Sequence, residues 1–306
     1  MNVEKVMWGG WQNCYKLSNN VIELIVTADI GPRIISSALK GGKNVFATVE
    51  ERLGRTGDED WLNYGGHRLW HAPEHPIRTY QPDNHPVDVQ QQANGDVKFV
   101  QPIEVKTGLQ KVIHIESMPD NSAQVKIHHQ LINQSLWDVE LAVWGLSVMR
   151  AGGVAVIPLP ERGSHPEALL PNTRLIFWPY SDLSDPRWTF GREYILLQQD
   201  KSATSPQKIG GGISDGWLAY INEGTAFIKQ FDFSSTATYP DLGCNAELFT
   251  SHWMLELESM SALRKLLAGD SVVHTETWSL IDNIAEPTSE AQFKQDVLPQ
   301  IQGVLQ

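Results

Sequence analysis

Cysteine is scarce. The 306 residues hold only two, Cys14 and Cys244, too few for the disulfide framework of a secreted scaffold and too scattered for a structural zinc site. Basic residues are in deficit as well: 24 Lys and Arg against 36 Asp and Glu leave a formal net charge of -12, which opposes a broad electrostatic footprint for DNA or RNA. Long apolar runs are missing, and the opening MNVEKVMWGGWQNC has no basic region followed by an apolar stretch. The chain therefore reads as a soluble, cytoplasmic protein without signal peptide or membrane span. Nucleotide and nucleophile signatures are absent too. GGHRLW and KIGGGISDG match neither the P-loop nor GxGxxG in a strand-turn-helix setting, and no GxSxG elbow occurs, so no cofactor is expected.

What the chain does have is β patterning. YKLSNNVIELIVTADIGPRIISSALKGGKNVFAT reads as two or three short strands broken at Ser18-Asn19-Asn20, Gly31-Pro32 and Gly41-Gly42. DVKFVQPIEV, LQKVIHIESM and SAQVKIHHQLINQS follow, with turns at Asn94-Gly95 and Met118 to Asn121. VELAVWGLSVM, GGVAVIPL, REYILLQQD, GWLAYINEG, TAFIKQFDF, WMLELES and SVVHTETWSLI bring the count well above ten. The one persuasive helix lies at the C-terminus, about 286–306, with Thr288 or Ser289 as its cap and Phe293, Val297 and Ile301 at spacings of four. Helices for right-handed crossovers are lacking. The pattern predicts an all-β protein: one domain over 1–306, with a large antiparallel sandwich core of about 10–282 and a C-terminal helical appendage. The alternative is two smaller β domains divided near residue 150.

Three segments concentrate polar chemistry. YGGHRLWHAPEHPIRTYQPDN, residues 64–84, carries His67, Arg68, His71 and Glu74 around Trp70, a composition suited to an active-site wall. His67 and His71 are four apart, but Arg68 stands where HExxH has Glu and Pro73 ends any helix early, so no metal site is expected. LLPNTRLIFWPYSDLSDPRWTFGREY, residues 169–194, carries Arg174, Trp178, Asp182 and Trp188. Sugar C–H faces stack on Trp and sugar hydroxyls pair with Asp and Arg, so this segment suits a carbohydrate. Among the eleven Trp, these positions carry the most meaning. Finally, Glu256 and Glu258 in LELES share one face of a strand, pointing together to a cleft or to solvent.

Taken in order, IGPRIISSALKGGKNVF, GGHRLWHAPE, HHQLINQSLWDVELAVWGLSVM, LELESM and LLAGDSVVHTETWSL resemble the galactose mutarotase-like superfamily, which includes aldose 1-epimerases and hexose-6-phosphate epimerases. The resemblance spans about residues 10 to 282. It implies a large β-sandwich (a supersandwich) whose concave face holds a sugar, with a His as general acid and a Glu as general base. Glu258 matches the family's C-terminal base position, Arg33 its early arginine, and Gly65 to Glu74 the segment lining the sugar. One position departs: Trp144 stands about where family enzymes place the acid His.

The resulting expectation is carbohydrate binding, with aldose 1-epimerase-like activity if His67 or His71 supplies the acid and Glu258 the base, both within hydrogen-bond reach of one sugar. Arg33, Arg68, Trp70, Glu74, Arg174, Trp178, Asp182 and Trp188 are the expected binding residues. The ligand is a small carbohydrate or a sugar phosphate, the arginines being suited to clamp an anion. A non-catalytic binding or sensing protein, and a glycosidase or lyase of the same fold, remain the alternatives.

Overall fold

Apolar side chains at every second position need a covered face, and two large antiparallel sheets give it to them. The computed structural model describes residues 1–305. In spatial order the first sheet runs β1 (Asn2–Trp8), β2 (Trp11–Ser18), β3 (Ile22–Thr27), β4 (Arg33–Leu39), β5 (Gly66–Ala72), β10 (Val139–Arg150), β19 (Met254–Met260), β18 (Ala246–Thr250), β15 (Gln207–Gly211) and β12 (Leu175–Phe177). A short β20 (Arg264–Leu266) pairs with the start of β10. The second sheet runs β13 (Trp188–Phe190), β14 (Tyr194–Gln198), β11 (Val154–Pro158), β16 (Trp217–Asn222), β17 (Thr225–Phe231), β21 (Ser271–Asp282), β9 (Gln124–Asn133), β8 (Leu109–Ile115), β7 (Val97–Val100) and β6 (Asp88–Gln91). Both sheets take strands from either side of residue 150.

Turn chemistry fixes the registers. Asn94-Gly95 separates β6 from β7, and Glu223-Gly224, both at positive φ (47° and 84°), closes the two-residue hairpin between β16 and β17. Gly65 and Gly66 bring the chain into β5: a Cβ on Gly65 would lie 2.1 Å from the carbonyl oxygen of Ala47, so only glycine passes there.

Between the sheets, Val26, Ile34, Leu69, Val143, Leu255 and Leu257 meet Ile113, Ile127, Leu131, Leu197, Phe227 and Trp278 in one continuous core. The outer face of the second sheet is covered separately. A helical stretch from Glu290 to Gln302, widened to a π turn over Phe293–Val297, lays Phe293, Val297 and Ile301 on Val156, Leu196, Trp217 and Ile228. Each such side chain contributes roughly 1.5–3 kcal/mol of burial. Ser289 caps the stretch, accepting from the backbone N–H of Gln292 at 3.2 Å, while Gln292 Oε1 accepts from Thr288. Among the described residues no helix is long and apolar enough to cross a membrane.

Among the described residues, no such helix covers the outer face of the first sheet. Loops rise around it instead, and they enclose a pocket.

Candidate functional site

Strand periodicity of two puts different chemistry on the two faces of β5, β10 and β19. Arg68, Trp70, Trp144, Leu146, Glu256 and Glu258 face outward. His67, Ser147 and Ser259 face inward and meet side chains of the second sheet.

On the outer face, Arg68, Leu146, Glu258 and Glu247 lie in register across β5, β10, β19 and β18. Arg68, Leu146 and Glu258 line a pocket of about 280 Å³, walled by Trp61, Trp70, Tyr80, Trp144 and Tyr180, with Glu247 beside it. Arg68 Nη1 pairs with Glu256 Oε1 at 2.8 Å and stacks 4.3 Å from the Trp70 ring centroid. Lys208, on β15, sits between two carboxylates, 2.7 Å from Glu247 and 3.1 Å from Glu258, and its ammonium lies over Trp178 at 4.6 Å and Trp144 at 5.2 Å. Trp144 Nε1–H donates to Glu258 Oε2 at 3.0 Å.

The electrostatics follow from burial. Burial pulls Lys208 down, but Glu258 and Glu247 outweigh it and hold the ammonium well above its ordinary value. Burial also raises the Glu258 and Glu247 carboxyls, with Lys208 opposing in each case. Three polar atoms of the pocket are buried and have no hydrogen-bond partner: Glu258 Oε1, Trp61 Nε1 and Arg68 Nε. Buried polar groups are ordinarily paired, so one acceptor and two donors among the pocket residues stand out as unsatisfied.

The inner face holds a second polar cluster with a different character. His129 Nδ1–H donates to the His274 carbonyl at 3.2 Å, leaving its Nε2 to accept from His67 Nε2–H at 2.6 Å; His67 Nδ1 then accepts from the Ser147 hydroxyl at 2.9 Å. His274 Nε2–H donates to Ser259 Oγ at 2.7 Å, and that hydroxyl donates to Glu276 Oε1 at 2.6 Å. Lys229 Nζ stands 3.1 Å from the same oxygen and donates to the carbonyls of Gly145 and Leu257. Trp278 Nε1–H completes the carboxylate's partners at 2.6 Å. Gly145 is required here, since a Cβ would lie 2.4 Å from Glu276 Oε1.

One set of tautomers satisfies this chain with all three imidazoles neutral. Burial drives His67, His129 and His274 the same way, His274 to about 3. Burial alone would raise Glu276, but the Lys229 ammonium 3.1 Å away holds its carboxyl far below the usual range. Ligand atoms of His67, His129 and Glu276 lie within 4.8 Å of one another, a donor set of metal-binding type. Their lone pairs and protons are already matched, and Lys229 supplies the positive charge, so the side chains fit one another rather than an ion.

The expected site residues therefore separate. Glu258, Arg68, Trp70 and Glu74 line the outer pocket, Glu74 accepting from the Tyr80 hydroxyl at 2.5 Å. Trp178 flanks it through Lys208. His67 lies in the inner cluster. His71, with the same parity, is buried on that face too; burial and Lys111 push it down to about 3, and its Nδ1 lacks a partner. Neither histidine shares a cleft with Glu258, because the sheet itself lies between them. Arg33 is opposite Arg68 in register but is sealed off, paired with Asp83 at 2.5 Å, bonded to the Gly65 carbonyl and lying over Tyr64. Arg174 is exposed on a loop. Asp182 is exposed and spends its Oδ1 on Ser184. Trp188 belongs to the second sheet and the inter-sheet core, donating to Gln207.

Lys208, Glu247 and Trp61 escaped sequence reasoning. A signal was present for two of them: QKIGG and AELFT each set one charged residue into a short apolar strand, where charge needs a buried partner.

No family model and no curated protein matches the chain. Solved structures do. A galactose mutarotase-like protein of Lactobacillus casei superposes with a TM-score of 0.58 at 11% identity, covering 88% of this chain and 100% of that one. A galactose mutarotase-like protein of Clostridium acetobutylicum gives 0.56 at 11%, covering 92% and 99%. The Slr1438 protein of Synechocystis gives 0.59 at 11%, covering 92% and 99%. At such identities the likeness speaks for architecture, and the sandwich described above is the galactose mutarotase-like fold.

Proposed function

We propose that the outer-face pocket binds a neutral sugar ring, with Glu258 accepting a hydroxyl proton or hydrogen bond. The observation that carries this reading is the unpartnered Glu258 Oε1 at the floor of an aromatic-walled pocket. Trp and Tyr faces suit the C–H surface of a pyranose, and Trp61 Nε1–H and Arg68 Nε–H suit its hydroxyl oxygens. Charge argues for neutrality of the ligand. Both cations of the pocket are already paired, Arg68 with Glu256 and Lys208 with Glu247 and Glu258, and Glu74 adds a further carboxylate. A phosphate or uronate would meet surplus negative charge there.

The same inventory favours binding over anomer exchange. Ring opening needs an acid that gives up a proton near neutral pH. Lys208 is held well above its ordinary value and Tyr180 is pushed up to about 12, mainly by burial; Glu247, though raised, does not line the pocket, and Trp144 stands about where the resemblance puts the acid histidine. A base without a matched acid makes a sugar-holding site. Calorimetric titration with neutral aldoses, run beside polarimetric measurement of anomer exchange, tests this: binding without acceleration is expected, and rapid exchange lost in Glu258→Gln would establish the epimerase instead.

A further inference from the structure

The pocket does not end at the sugar-sized space above Glu258. Asn63, Phe249 and Met254, which line it, also line a wider groove of about 710 Å³. We infer that this groove is a second sugar position, so that the ligand of the site is an oligosaccharide or glycoside rather than a free monosaccharide. The inference rests on the carbohydrate reading of the Glu258 pocket and deepens it.

Three observations support it. Continuity comes first: the two spaces share three side chains, and β19 runs from Met254 at the groove to Glu258 in the pocket, roughly 13 Å of extended strand, with Trp253 in the bend just before it. That length exceeds one ring. Next is the lining. Trp253 and Phe249 offer apolar faces for stacking, while Glu50, Glu51 and the exposed His252 offer hydrogen-bonding edges, the pairing of surfaces that a pyranose presents. Last is an open valence: Ser251 Oγ, in the turn between β18 and β19, is buried without a partner, although the backbone beside it is tied to Met254 and Gln199. The groove thus repeats the chemistry of the pocket: an aromatic platform with an unpaired polar atom beside it.

Calorimetry with matched ladders of one, two and three glucose, galactose or mannose units, in α and β linkage, tests the assignment on the full chain. In at least one ladder, affinity should rise tenfold or more from the single unit to the pair. That ratio should fall below twofold in Trp253→Ala. His252→Ala, at an exposed side chain that does not threaten folding, should lower it by about threefold, and Glu258→Gln should weaken every member of the ladder. A wild-type ratio near one, or a ratio unchanged in both groove variants, overturns the second position while leaving the pocket reading intact. No binding at any length, or binding indifferent to Glu258→Gln, overturns both.

Discussion

Two polar clusters sit back to back on the same three strands, and they differ in one respect that matters. Inside the sandwich, His67, His129, His274, Ser147, Ser259, Lys229, Glu276 and Trp278 are joined in one hydrogen-bonded cluster compatible with neutral imidazoles. Outside, Glu258, Arg68 and Trp61 each keep a buried polar atom unpaired, beneath aromatic walls and beside open space. Titratable residues, burial and ion pairs are present in both. Chemical richness alone therefore does not mark a site; an open valence that faces a cavity does. The inner cluster stabilises and specifies the sheet packing, while the outer one spends part of its stability on being ready for a ligand.

Breaking the inner ion pair should produce the largest effect. Lys229→Met strands the Glu276 carboxylate in the core, and the loss should be about 3–5 kcal/mol, read from urea unfolding followed by tryptophan fluorescence. A loss below about 1 kcal/mol would mean that the cluster is not held by charge. The contrasting substitution is Glu258→Gln. Lys208 keeps Glu247 as its partner, so the unfolding midpoint should move far less, whereas sugar affinity should fall tenfold or more in calorimetry.

Acid should separate the clusters by sign. His67, His129 and His274 are depressed in the folded state, so below about pH 6.5 the unfolded chain binds more protons and stability is lost as pH falls, toward about 3 for His274. Glu276, also depressed, adds to that loss below its ordinary value of 4.5. Glu247 and Glu258 are raised, so their contribution is complete below 4.5 and fades as pH rises through their folded values. The imidazole share is read as a difference: between pH 7 and 4 the urea midpoint of His274→Gln should lose less than that of the wild type, and an equal loss would remove the neutral-histidine account. The smallest effect belongs to His71→Phe. It exchanges an imidazole with an unpartnered Nδ1 for an apolar ring, so stability at pH 7 should change by about 1 kcal/mol or less, with a relative gain in acid.

Much of this architecture was legible in the sequence, and so was one error. Alternation and turn residues revealed antiparallel strands, and the C-terminal spacing of Phe293, Val297 and Ile301 gave the helical cover with its Ser289 cap. The same alternation, applied to GHRLWHA, already separates His67 and His71 from Arg68 and Trp70, because neighbours on a strand point to opposite faces. Grouping all four in one wall ignored that parity. Lys208 and Glu247 were hidden for another reason: they reach Glu258 through β15 and β18, and pairings between distant strands are set by the whole sheet rather than by any local pattern. Arg33 was legible as a strand residue, but not the loop carrying Asp83 that seals it.

The central claim is that the open valence of Glu258, not the arginine content of the chain, selects the ligand. Calorimetric titration of the wild type and Glu258→Gln with the neutral sugar that binds best and with its 6-phosphate tests this most directly. The account predicts that the neutral sugar binds the wild type, that Glu258→Gln weakens it by at least tenfold, and that the phosphate binds more weakly than its neutral parent. Tighter binding of the phosphate, or equal binding of the neutral sugar by both proteins, would contradict it.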